Sequence, residues 1–315
     1  MEDTNELSEP LMSGTPVGWQ LLSRSVQDVM INAVKPTVSP LSVSEDLNSG
    51  SALGTGSYFA FRGTPYLITA EHVVADARGA TIAHLPVPDD YYEAFTNPFR
   101  RSSWPVDVAV IRLSTWPTQF SARQALNTSC FDTCYKPAIR ELLFWIGFPG
   151  STAGRHEPLT ELRIRRSLFG VLPSSGLPIL SQSTEIPGFD PSSFDPDRHF
   201  LVCYPTTAIS RAGGPEVELR NPHGMSGSLI WDTKWVAAAE AGIEWTPDMA
   251  RVCGLAWGAS ENPNVLIATK IEYIRPVLLQ FLREEAAYFR WISGGRQPGT
   301  ALDDWLWAEK TIPAL

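Results

Sequence analysis

Three short segments carry side chains able to act on an acyl group: Thr69-Ala70-Glu71-His72-Val73, Val106-Asp107-Val108-Ala109-Val110 and Gly224-Met225-Ser226-Gly227-Ser228. In chain order they offer a base, an orienting carboxylate and a nucleophile. A serine hydroxyl is a poor nucleophile at neutral pH, so it needs a base within hydrogen-bond reach and a third group that holds the base. Among the five histidines, His72 alone follows an expected strand directly, in a turn of small residues that places its imidazole at the end of a sheet. His84, His156, His199 and His223 lack that setting and read as satisfied surface or turn histidines. Asp107 opens an apolar run, so its carboxylate is expected to be partly buried, where an imidazole that becomes cationic during reaction is a suitable partner. An aspartate capping a turn is the competing reading. Gly224 permits a backbone in which its own amide and that of Ser226 point at one spot, the geometry of an oxyanion hole. A lone Gly-x-Ser-Gly is common as a loop; here an irregular turn, Asn221-Pro222-His223, precedes it and an apolar run, Leu229-Ile230-Trp231, follows it.

The elements that must position these groups are read from the hydrophobic periodicity. From Pro36 onward, short apolar runs alternate with Gly, Pro, Asp and Ser, the pattern of an all-β chain. Tyr58 to Phe61 and Tyr66 to Thr69 form a hairpin about the turn Arg62-Gly63-Thr64-Pro65, and Asp107 to Leu113 is a further buried strand. Later strands are expected at 142–149, 162–172, 200–205, 228–231, 251–257 and 265–270, with 173–198 as a long surface loop. Near the end the period changes to that of a helix: Ile274, Val277, Leu278, Phe281 and Leu282 share one face, with Pro276 tolerable in a first turn. The first 35 residues read as an irregular tail with a helical turn near 23–33. The segment 294–315, with Trp305 and Trp307 beside Asp303 and Asp304, reads as a tail that clamps back or binds a partner.

Composition excludes several classes. The net charge of −9, without a run of Lys or Arg, argues against a phosphate-neutralising surface and so against nucleic acid as partner. The acidic start, Met1-Glu2-Asp3, and the lack of a long apolar stretch argue against a secretory signal or membrane span and for a cytoplasmic location. Four cysteines are too few for a disulfide scaffold. Cys130, Cys134 and His156 do not match a common zinc spacing, and Asp190, Asp195 and Asp197 lack the pattern of a calcium loop, so no metal and no cofactor are expected.

The Thr-Ala-x-His turn, the Asp-Val-Ala-Val strand and the Gly-x-Ser-Gly loop, in that order, resemble the chymotrypsin or trypsin-like serine peptidases in their bacterial, disulfide-poor form. Gly54-Thr55-Gly56-Ser57 before the hairpin and Gly254-Leu255-Ala256-Trp257-Gly258 near the end belong to the same likeness. It implies two Greek-key, six-stranded β-barrels with the active site between them and a C-terminal helix. The corresponding division is tail 1–35, first barrel 36–125, linker 126–141, second barrel 142–270, helix 271–293 and tail 294–315. It further implies His72, Asp107 and Ser226 as catalytic residues, Gly224 and Ser226 as the oxyanion hole, and Arg220, His223, Ala256, Trp257 and Gly258 along the substrate. Met225 stands where secreted members carry an aspartate, so activation by a new N-terminus is not expected. Arg220, near the base of the side-chain pocket, disfavours cleavage after Lys or Arg. The expected activity is that of an endopeptidase on protein or peptide substrates, with the tails free to engage an assembly partner. The alternative is an inactive module of the same fold that binds extended peptides by strand addition.

Overall fold

Period-2 apolar patterning makes strands, and a strand buried on both faces must be apolar throughout; Leu143–Gly147 is the extreme case, with every residue buried. The computed structural model describes residues 16–44, 50–85, 93–114, 124–149, 154–155, 169–170, 177–186, 192–204, 207–209, 216–218, 222–261 and 264–315. Its first half contains β1 (Val38–Ser44), β2 (Gly50–Phe61), β3 (Thr64–Thr69), β4 (Thr81–His84), β5 (Glu93–Ala94), β6 (Arg100–Ser102), β7 (Val108–Arg112) and β8 (Leu126–Asn127). These form a curled antiparallel sheet in the order β5-β4-β1-β2-β3-β7-β6, with β8 running parallel beside β2. The second half contains β9 (Leu143–Gly147), β10 (Gly154–Arg155), β11 (Phe169–Gly170), β12 (Leu177–Ser181), β13 (Ser183–Thr184), β14 (His199–Cys203), β15 (Thr207–Ile209), β16 (Glu216–Glu218), β17 (Leu229–Asp232), β18 (Arg251–Glu261) and β19 (Asn264–Lys270). Its main sheet runs β12-β9-β17-β18-β19-β14-β13.

The chain is therefore all-β in its body: two curled antiparallel half-barrels followed by helices. Among the described residues the two sheets hold eight and seven strands. The hairpin turns where expected, Arg62 and Gly63 both taking positive φ between Phe61 and Thr64.

Among the described residues five helices accompany the sheets: α1 (Pro16–Val34), α2 (Glu71–Asp76), α3 (Trp235–Glu240), α4 (Ile271–Ser293) and α5 (Ala301–Thr311). Two bear on the reading of the termini, α1 replacing part of an irregular tail and α5 clamping back as one of the two expected courses of the C-terminal segment. Of the expected N-terminal tail, residues 16–34 form α1, which buries Val26, Met30, Ile31 and Val34, a helical stripe, in the same core as the first sheet. The C-terminal segment is likewise ordered by α5, which packs on α4, with Asp304 accepting from Thr300 Oγ1 at 2.9 Å and lying 3.3 Å from Arg290. Arg283 reaches past α5 to the carbonyl of Ile312 at 2.8 Å. Pro276 lies in the second turn of α4, where the helix continues at the loss of one amide bond. The expected surface loop 173–198 contains β12 and β13, and the expected strand 162–172 falls mostly outside the described residues.

Alternate residues of β9 enter two cores. Phe144 and Ile146 join Leu67, Ile68, Val110, Leu229 and Leu255 in a cluster shared by both sheets, α1 and α4. Leu143 and Trp145 fill the second half-barrel with Phe200, Ile230 and Cys253. One buried carboxylate closes this body: Glu141 accepts from the amides of Leu142 and Val236 at 3.0 Å, from Thr233 Oγ1 at 3.1 Å and from the Ala237 amide at 3.2 Å. Two of these donors open α3, where no intrahelical acceptor exists. Glu141→Ala strands all four donors and is expected to cost about 3 kcal/mol of stability, read as a lower midpoint in urea unfolding; an unchanged midpoint would contradict this role.

Candidate active site

β3 ends at Thr69, and Ala70 keeps extended backbone (φ −74°, ψ 147°) before α2 begins at Glu71. His72 is thus the second helical residue, with an amide that no helical carbonyl can accept. Asp107 supplies the acceptor: His72 N–H donates to Oδ1 at 2.8 Å and Nδ1 to Oδ2 at 2.6 Å. One carboxylate therefore holds both backbone and ring. The pairing puts the ring proton on Nδ1 and leaves Nε2 of the neutral imidazole as the proton acceptor. Asp107 is 5% exposed and has φ of +50°, a left-handed backbone that aspartate tolerates better than most residues. Burial alone would lower the His72 pKa, but the bond to Asp107 and the charges of Asp107, Asp76 and Glu71 outweigh it and hold the ring above its ordinary 6.5.

The serine loop is a tight turn. Met225 N–H donates to Pro222 O at 2.9 Å, Ser228 N–H to Met225 O at 3.1 Å, and Gly227 N–H to Ala256 O at 2.7 Å. Gly224 and Gly227 have φ of +93° and +90°. Among the described residues, neither the Gly224 nor the Ser226 amide donates to a backbone carbonyl. The loop is moored to the first sheet by Thr55: its amide donates to Ser226 O at 2.8 Å, and its Oγ1 donates to Gly224 O at 2.8 Å and accepts from Phe148 N–H at 3.0 Å. Thr69 Oγ1 donates in turn to Thr55 O at 2.7 Å. The approach is so close that a Cβ on Gly227 would lie 2.0 Å from the Thr55 carbonyl oxygen.

His72 and Ser226 open onto one cavity of about 400 Å³, whose lining includes His223, Gly224, Met225, Ala256, Trp257, Gly258 and Leu266. In this conformation Ser226 Oγ donates to the Trp257 carbonyl at 3.2 Å, and no hydrogen bond joins it to His72 among the described residues. A bulge in β18 between Ala256 and Gly258 presents that carbonyl. Arg220 lies outside the described residues.

Of the other histidines, His84 and His199 correct the surface reading: both are buried. His84 bonds to Tyr58 Oη at 2.7 Å and stacks on Phe95 at 4.5 Å, while His199 packs edge-on against Trp257. His156 is outside the described residues. All four cysteines are free thiols; among the described residues no cluster of three or more metal-ligating side chains occurs, and no helix is long and apolar enough to cross a membrane. Thr55 and Thr69, which moor the serine loop, were not singled out from the sequence. Both lie inside quoted segments, Gly54-Thr55-Gly56-Ser57 and Thr69-Ala70-Glu71-His72, but nothing there marks their hydroxyls as the mooring groups.

Fold and site together define a β-sheet protein with a histidine, an aspartate and a serine gathered at a cleft floored by a glycine-rich loop. A family described as "Protein of unknown function (DUF2934)" matches residues 284–314, the end of α4 and α5. No curated protein matches the sequence. Among solved structures, the chain is similar to the active form of the Rv3671c protease from M. tuberculosis, at 17% identity and a TM-score of 0.40 over 78% of this chain and 81% of that one. It is also similar to catalytically active tobacco etch virus protease complexed with product, at 12% identity and a TM-score of 0.38 over 76% and 74%. A third likeness is to a structure from work on coupled folding and binding of the Sesbania mosaic virus VPg protein, at 12% identity and a TM-score of 0.41 over 76% and 87%.

Proposed function

We propose that the protein is a serine endopeptidase acting through an acyl-enzyme. Ser226 Oγ turns from the Trp257 carbonyl to His72 Nε2, gives up its proton there and attacks the scissile carbonyl. The Gly224 and Ser226 amides receive the oxyanion, and the imidazolium, balanced by Asp107, returns the proton to the leaving amine. Water then enters, His72 again takes a proton, and hydrolysis frees Ser226. The observation that carries this reading is the two-point hold of Asp107 on His72 at the cavity that also contains Ser226.

The substrate main chain has a place as well. β17 and the serine loop bond β18 as far as Ala256, so beyond the bulge its β17-facing edge is open among the described residues. An extended peptide can add there as a strand. The inner wall of the cavity is apolar, with buried Met225, Ala256 and Leu266, while Asp76 and Glu261 on its rim are exposed. A small, uncharged side chain therefore fits before the scissile bond, and basic residues fit at its flanks.

The direct trial is a fluorophosphonate probe followed by mass spectrometry of the labelled peptide. Modification is expected on Ser226 in the native protein and not after denaturation; native protein left unlabelled would refute the assignment. The bond of Ser226 Oγ to the Trp257 carbonyl favours one rival, a non-catalytic peptide binder in which the hydroxyl stays so engaged. Peptides retained without cleavage or labelling would decide for it.

A further inference from the structure

Asp107 sits in a left-handed conformation at the end of the segment 104–107; the amides of Val106 and Asp107 donate locally to Ser103 O, each at 3.3 Å, while the side-chain bonds to this segment come from the other half-barrel. Trp104 Nε1 donates to Ser193 O at 3.1 Å, His199 Nε2 to Pro105 O at 2.7 Å, and Thr269 Oγ1 to Val106 O at 3.0 Å. His199 and Thr269 are direct cross-strand partners of β14 and β19, so their side chains stand side by side and grip successive peptide carbonyls. The His199 tautomer is fixed independently: its Nδ1 accepts from the Asp195 amide at 2.9 Å, which leaves Nε2 as the donor. The ring is 1% exposed and packs edge-on to Trp257 at 5.0 Å, the residue whose carbonyl receives Ser226 Oγ. Two polar side chains are thus buried at the seam between the sheets, each spending its donor on the two residues before Asp107.

We infer that His199 and Thr269 are positioning residues, which hold the Pro105 and Val106 carbonyls so that the Asp107 carboxylate meets both the amide and the ring of His72. The inference rests on the peptidase reading only for its effect on rate; its effect on the His72–Asp107 bond does not depend on turnover. Burial holds the His199 pKa below the ordinary imidazole value, with Arg198 and Lys270 acting the same way, against the Pro105 carbonyl and Asp195, so the ring is neutral as the donor arrangement requires. The consequence is that the histidine is oriented only when both half-barrels are in register.

The test uses the full chain with Thr269→Val, which removes the hydroxyl at nearly constant shape, and His199→Phe, which keeps a ring but no donor. Thr269→Ser and His199→Gln retain a donor and serve as rescue variants. Two readouts are taken: the downfield proton resonance of His72 Nδ1–H in its bond to Asp107, and kcat and KM on a peptide substrate. Thr269→Val and His199→Phe are each expected to shift or broaden the resonance and to lower kcat by about tenfold to a hundredfold with KM within about twofold, as befits a displacement of under an ångström. The rescue variants are expected to keep the wild-type resonance. An unmoved resonance in folded Thr269→Val would overturn the inference, whatever happens to stability. A resonance that moves in a protein without turnover would uphold the positioning role and sink the peptidase reading instead. Should His199→Phe fail to fold, Thr269→Val against Thr269→Ser decides alone.

Discussion

Ser226→Ala is expected to lower kcat by about a millionfold, as loss of the serine does in subtilisin, and to abolish fluorophosphonate labelling while leaving the fold intact. Among the described residues the hydroxyl makes one hydrogen bond, to the Trp257 carbonyl, whereas the loop around it is held by backbone bonds and by Thr55. Removing Oγ therefore costs little stability, and thermal unfolding should be nearly unchanged. The oxyanion donors and the open edge of β18 survive, so peptide affinity should persist, and residual hydrolysis about 10³-fold above water can remain. Nucleophile and base act as one unit, so His72→Ala combined with Ser226→Ala should be no slower than either alone. Labelling that persists in Ser226→Ala would place the reactive hydroxyl elsewhere and remove the basis for the whole assignment.

The side chains proposed to do the chemistry were more legible in the sequence than those that hold them. His72, Asp107 and Ser226 sit in local settings, a strand end, a strand start and a glycine-flanked turn, each written in a few adjacent residues. Their holders act across the chain: Thr55 on Gly224 and Ser226, Thr269 on Val106, His199 on Pro105. Nothing local marks a threonine on a strand as the donor to a carbonyl far away in the chain. His199 read as a surface residue because its neighbours, Asp195, Asp197 and Arg198, are polar. Only pairing of β14 with β19 turns it inward. For the same reason α1 was missed as a packed element. Its apolar stripe is modest, and it is the flank of a half-barrel that gives it a surface to cover.

Asp107→Asn is expected to lower kcat by about 10⁴-fold, the loss handed down from the same exchange in a serine peptidase triad, with little change in KM. The cause is the tautomer rather than the shape. Asparagine can still accept the His72 amide through its oxygen, so the backbone bond now at 2.8 Å survives and the helix start is preserved. Its amide nitrogen then faces His72 Nδ1 and donates where the carboxylate accepted, which forces the ring proton onto Nε2, the nitrogen that must take the proton of Ser226. The pH profile separates this account from simple disorder. In the wild type, catalysis needs neutral His72, so kcat/KM should rise with pH through a pKa above 6.5 and fall about tenfold per unit below it. In Asp107→Asn the largest remaining influence is burial, which lowers the pKa, while the hydrogen bond and charge of Asp107 that raise it are gone and only Asp76 and Glu71 oppose it. The acidic limb should therefore move to lower pH even as the plateau collapses. Measuring kcat/KM from pH 5 to 9 in both proteins checks this, and a limb that stays in place would show that Asp107 does not set the charge state of His72.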